Sequence, residues 1–118
     1  MSTNGQTEFV RACSLTELKE KGRMLFTADN GGEAAIFFVN EKIYAVDNIC
    51  PHNHTPKMHL GIISGKEVLC PVHMYRFSLL TGKHSENQVK PLATYKVKIV
   101  DDDVFIEKPD TTSFNFDF

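Results

Sequence analysis

The chain has 118 residues, 13 of them basic and 15 acidic, for a net charge of −2. That length suits one domain with a real core, and 42% hydrophobic against 24% charged residues reads as a globular chain. No basic stripe is present, which argues against nucleic acid as a main partner, and no apolar run approaches the length of a membrane span.

The first residues, Met1 to Gln6, lack the basic and apolar regions of an export signal, so a cytoplasmic location is expected. Glu8 to Ala12 has strand composition. Ser14 and Glu17 fit a capping box, which predicts a short helical turn through Leu18 that stops at Gly22. Met24 to Ala28 reads as a second strand, followed by a turn at Asp29-Asn30-Gly31-Gly32, where Asn and Gly tolerate positive φ. Glu33 to Val39 and Ile43 to Val46 read as a tight hairpin across Asn40-Glu41-Lys42.

That hairpin delivers the chain to Cys50-Pro51-His52. Seventeen residues (53–69) follow before Cys70-Pro71-Val72-His73. Between the two lies a second hairpin by pattern, Gly61-Ile62-Ile63 and Glu67-Val68-Leu69 across Ser64-Gly65-Lys66, placed to return the second motif beside the first. Arg76 to Leu80 leaves the second motif and turns at Thr81-Gly82. His84 to Lys90 is polar and aperiodic. Leu92 to Val100 and Val104 to Glu107 form a last hairpin across three aspartates, Asp101 to Asp103, read as a solvated turn. Short strands at this spacing predict an all-β sandwich or barrel. In the tail, Phe114, Phe116 and Phe118 alternate with small or polar residues, so any strand there puts three rings on one face. A frayed terminus and an added strand are both open readings of it.

Cys50, His52, Cys70 and His73 are the candidate metal and cofactor ligands. Each motif offers one thiolate and one imidazole, a set that can hold zinc or an iron–sulfur cluster. Zinc sites of the Cys2His2 type pair like ligands, whereas here the types alternate. Two facing loops of this kind can give both cysteines to one iron and both histidines to the other, the ligation of a Rieske [2Fe–2S] centre. Cys13 stands apart; an odd cysteine count does not look like a disulfide framework, and Cys13 is expected to be a buried small hydrophobe. His54 is placed in the first loop, and His59 and His84 are expected at the surface. A His84→Ala change is expected to leave a cluster spectrum intact, and a His73→Ala change to abolish it.

The two motifs, with Arg76-Phe77 and Thr81-Gly82 after them, resemble the cluster-binding boxes of Rieske proteins, and most closely those of Rieske-type ferredoxins and of the small subunit of assimilatory nitrite reductase. The resemblance is dense from about Ile43 to Thr94. It implies an all-β, antiparallel Rieske-like sandwich built from both ends of a single domain (1–118), with an inserted cluster-binding subdomain at about 48–82 and a tail at 109–118. It implies a Rieske-type [2Fe–2S] cofactor, single-electron transfer and redox partner proteins. Those partners are a flavin reductase and an oxygenase for a ferredoxin, or the large subunit for a nitrite reductase. A non-redox, zinc-stabilised binding module is the remaining alternative. No complete active site of its own is implied, and neither nucleic acid nor membrane as partner.

In high-potential respiratory relatives, extra cysteines stand at the positions of Thr55 and Val72, and Ser and Tyr donors to cluster sulfur at those of Tyr75 and Phe77. Their loss here implies a potential in the lower part of the Rieske range. By the same resemblance His52 and His73 form the edge through which the electron leaves, and Lys90-Pro91-Leu92 covers the cluster. Many relatives carry Gly where this chain has Met74, and the first box is one residue longer before its glycine, taken as Gly61.

Overall fold

Seven consecutive residues of Glu33–Val39 show why this chain builds three sheets around one strand pair. Ala34 and Ile36 are buried on one face of the strand and Ala35 and Phe37 on the other. A strand covered on both sides needs an unbroken apolar run instead of an alternating one. The computed structural model describes residues 8–52, 54–72 and 74–109.

The first sheet joins the two ends of the chain. β1 (Phe9–Ser14) pairs antiparallel with β10 (Asp103–Glu107), which pairs with β9 (Val97–Val100). A bulge between Arg11 and Cys13 lets Cys13 face inward opposite Val104. The helix α1 (Leu15–Lys21) begins where expected: Ser14 Oγ accepts from the Glu17 amide at 2.9 Å, and Gly22 closes the far end by donating to the Leu18 carbonyl. Leu18 is the buried anchor of this helix.

The second sheet has the order β2 (Arg23–Thr27), β3 (Glu33–Val39), β4 (Lys42–Asp47), β8 (Thr94–Tyr95). The β3–β4 turn places Asn40 at φ 51° and Glu41 at φ 68°, the twist that a two-residue hairpin needs. The stretch from Leu92 to Val100, expected as one strand, is two. β8 pairs with β4, and β9, beyond Lys96, crosses to the first sheet. One face of the second sheet packs Ala34, Ile36 and Ala45 on Cys13, Val104 and Ile106 of the first sheet and on Leu18 of α1.

The third sheet is β5 (Ile62–Ser64), β6 (Glu67–Leu69), β7 (Arg76–Ser78), a local meander between and after the two motifs. It packs Val68 and Phe77 against Ala35, Phe37, Tyr44 and Val46 on the other face of the second sheet. The architecture is thus the expected antiparallel β sandwich with an inserted sheet. Among the described residues no helix is long and apolar enough to cross a membrane. The phenylalanine tail, 110–118, lies outside the described residues.

Candidate metal centre

Cys50 comes two residues after Asn48, just past the end of β4, and Cys70 directly follows β6. Each opens a loop with the same hydrogen-bond frame. The Cys50 amide donates to the Thr55 carbonyl (3.0 Å) and the His54 amide to the Cys50 carbonyl (2.7 Å). In the second loop the Cys70 amide donates to the Tyr75 carbonyl and the Met74 amide to the Cys70 carbonyl, both at 2.8 Å. The fifth residue of each loop takes a left-handed conformation, His54 at φ 60° and Met74 at φ 59°. This explains the glycine that many relatives carry at the position of Met74: the frame calls for positive φ there.

Cys50 and Cys70 are 0% and 1% exposed and belong to one buried cluster with Met58, Val68, Phe77 and Leu92. No disulfide joins them. His52 is half-buried, with Nδ1 shut off from solvent. Two sulfurs and a ring nitrogen withdrawn from water are soft and borderline donors of the kind that bind iron–sulfur groups, so the residues present fit such a cofactor. His73 lies outside the described residues. Among those described, no three His, Cys, Asp or Glu side chains gather around one point; a ligand set divided between two irons asks for only two at each.

The remaining expectations divide. Cys13 is buried as expected; burial above all, with the Glu17 charge adding, pushes its thiol up. Leu92 is buried in the same cluster as both cysteines while Lys90 and Pro91 are exposed, so this segment covers that core through one side chain. His54 is exposed in the first loop. His59 and His84 do not lie freely at the surface. His59 Nδ1 is 2.9 Å from Asn48 Oδ1. His84 is only 7% exposed, because its backbone bridges to Phe77 and its ring packs beside Tyr75 and Phe77. Its Nδ1 accepts from the amides of Glu86 (3.3 Å) and Gln88 (3.2 Å), which places the ring proton on Nε2.

Sequence reasoning missed Asn48. It is wholly buried, and its Nδ2 donates to Glu33 Oε1 and to the Pro56 carbonyl, each at 2.9 Å. Its Oδ1 accepts from the His59 amide at 2.7 Å, and its carbonyl from the Met58 amide at 3.0 Å. One side chain thereby ties the far end of the first loop to β3. The available signal was period two: Tyr44, Val46 and Asn48 continue one buried face, and an amide there must find partners. Arg23 was missed as well; its guanidinium donates to the carbonyls of His59 (3.0 Å) and Gly61 (2.6 Å) and lies over the Phe37 ring. Gly61 itself has no room for a side chain, since a Cβ there would meet the Leu69 carbonyl at 2.7 Å.

Residues 8–107 match the family model of the Rieske-like [2Fe–2S] domain. The chain belongs to that family. The Rieske-like domain is 37% identical over 92 residues to the ferredoxin component of the naphthalene 1,2-dioxygenase/salicylate 5-hydroxylase systems of Ralstonia sp., covering 77% of this chain and 86% of that one. It is 31% identical over 100 residues to the biphenyl dioxygenase ferredoxin subunit of Pseudomonas sp. strain KKS102, covering 84% and 91%. Among solved structures it is similar to the ferredoxin of carbazole 1,9a-dioxygenase from Nocardioides aromaticivorans IC177, with a TM-score of 0.75, 26% identity and coverage of 88% and 100%. It shares its fold with a chain assigned as an NADH-dependent nitrite reductase small subunit from Mycobacterium tuberculosis, at a TM-score of 0.79, 18% identity and coverage of 90% and 99%. The cofactor of a Rieske-like domain is a Rieske-type [2Fe–2S] cluster, in agreement with the donor set described above.

Proposed function

We propose that this chain is the ferredoxin component of a multicomponent oxidoreductase, passing single electrons from a reductase to a terminal oxygenase. The observation that carries the reading is the pair of matched loops, which start at Cys50 and Cys70, two buried residues of one apolar cluster, in a domain spanning nearly the whole length of oxygenase ferredoxins. Cys50 and Cys70 hold one iron, and His52 and His73 the other. When bound, such a cluster supplies one-electron exchange, at a potential raised above that of four-thiolate clusters because two neutral imidazoles replace two charged thiolates.

The chain's own residues do the rest. The two loop frames fix the cysteine backbones, Asn48 and Arg23 brace the first loop from behind, and Met58, Val68, Phe77 and Leu92 keep water from the sulfurs. A cytoplasmic location accords with three cysteines and no disulfide among the described residues.

Anaerobic purification followed by iron, acid-labile sulfide and zinc analysis tests the cofactor ligation. The expected protein is red-brown, with visible bands that bleach on reduction. His73→Ala is expected to abolish them. Zinc without iron or sulfide would overturn the reading. Capture of an oxygenase supports the ferredoxin role. Capture of a large sirohaem flavoprotein would instead assign the chain as a nitrite reductase small subunit, which the fold shared with such a chain keeps as the second reading.

A further inference from the structure

A run of aromatic rings leads from the first loop into the protein and is not explained by cofactor ligation alone. The His52 and Tyr75 rings are stacked, with centroids 4.0 Å apart and planes at 17°. Tyr75 in turn meets His84 at 5.0 Å, and His84 meets Phe77 at 5.7 Å. The stack therefore crosses from the first loop to the second and on to the segment after β7. His84 is itself held, through the two amides that its Nδ1 accepts and the bridge to Phe77.

We propose that Tyr75, backed by His84, is the positioning residue for His52: the stacked ring sets the plane of the imidazole and closes one face of it to water. This rests on the reading of His52 as a cluster ligand. An imidazole on a single bond from Cβ has a broad, soft rotation about that bond. A flat ring packed against it removes that freedom, as outer-layer partners do for metal-binding histidines generally. Excluding water also disfavours the added negative charge of the reduced cluster, which holds the potential down. His84 packs against Tyr75 in turn, with the planes tilted by 36°.

The test uses the iron-loaded protein and three variants: Tyr75→Phe, Tyr75→Ala and His84→Ala. Two quantities are read, the midpoint potential and the nitrogen hyperfine couplings of the reduced centre with 15N-labelled histidine. Those couplings report the orientation of the ligand rings, and a purely structural role would not move them. Tyr75→Phe keeps the stack and is expected to match the parent in both. Tyr75→Ala is expected to raise the potential and alter the couplings. His84→Ala is expected to shift both in the same direction and less. Loaded alanine variants with unchanged potential and couplings overturn the proposal, as does a Tyr75→Phe shift as large as that of Tyr75→Ala, which would assign the effect to the hydroxyl. Should Tyr75→Ala not take up the cluster, His84→Ala decides by the same two readings. Failure of the ligand reading is distinct, since the parent protein would then lack iron and sulfide.

Discussion

The amide of Met74 donates to the carbonyl of Cys70 at 2.8 Å, and closing that turn holds Met74 at φ 59°. A left-handed backbone costs a residue with a Cβ about 1–2 kcal/mol, and glycine nothing comparable. Met74→Gly is therefore expected to stabilise the protein by up to about 1 kcal/mol, after the added freedom of the unfolded chain is subtracted. The midpoint of urea unfolding measures it, with loading of the cluster unchanged.

Asn48 serves Glu33, Pro56 and His59 from a site without water access. Asn48→Ala leaves those groups to be satisfied elsewhere, at an expected cost of about 2–4 kcal/mol. The first loop loses its brace, so the cluster is also expected to be released faster, followed as bleaching of the visible bands under a chelator.

Gly82 has φ 78°, and a Cβ there would come within 1.8 Å of the Leu92 carbonyl oxygen, a backbone atom that no rotamer change can move aside. The hydrogen bond from the Leu92 amide to the Gly82 carbonyl, 2.7 Å, holds the two strands of chain together at that point. Gly82→Ala must push Leu92 out of the core it shares with Cys50 and Cys70. It is expected to cost more than the about 1–2 kcal/mol of the backbone strain alone, and to shorten the lifetime of the loaded protein in air.

Asp47 is enclosed beside Glu33, and burial first, then the Glu33 charge, push its carboxyl up, against the lowering effect of the Ile49 and Asn48 amides. A raised folded value means that the folded state takes up the proton more readily than the unfolded one. The stabilisation from that proton is complete below the ordinary aspartate range, about 3.9, and is lost as pH rises through the folded value. Asp47→Asn keeps an oxygen for the Ile49 amide and carries no charge. Its melting temperature is expected to exceed that of the parent at neutral pH, with the difference shrinking as the solution is acidified.

Phe77 is wholly buried in the apolar cluster, and Tyr75 turns its ring to His52. Phe77 has no group to donate to a cluster sulfur. The midpoint potential is expected in the lower part of the span of roughly −150 to +300 mV for Rieske centres, and an anaerobic redox titration checks it.

The elements of this fold were legible where a local rule governs them. Ser14 and Gly22 bounded α1, and Asn40-Glu41-Lys42 marked the tight turn, of which Lys42 belongs to β4, because caps and turns depend on a few neighbouring residues. Both motifs were visible as residue types at a spacing, and their cysteines fall in one buried cluster. What was not legible depends on partners distant in sequence. The polar run from His84 gave no period, so nothing in it announced that the histidine ring would close against Tyr75. Asn48 read as one more polar residue before a loop; its importance comes from Glu33 and His59, fifteen residues before it and eleven after. The division of β8 from β9 at Lys96 likewise follows from two sheets competing for one stretch of chain.

The third sheet spans only Ile62 to Ser78, whereas the first sheet needs Phe9 to find Glu107. Closing short loops is entropically cheap and fast, while joining the two ends must wait for nearly the entire polypeptide. Pairing within β5, β6 and β7 is therefore expected to form ahead of the pairing of β1 with β10.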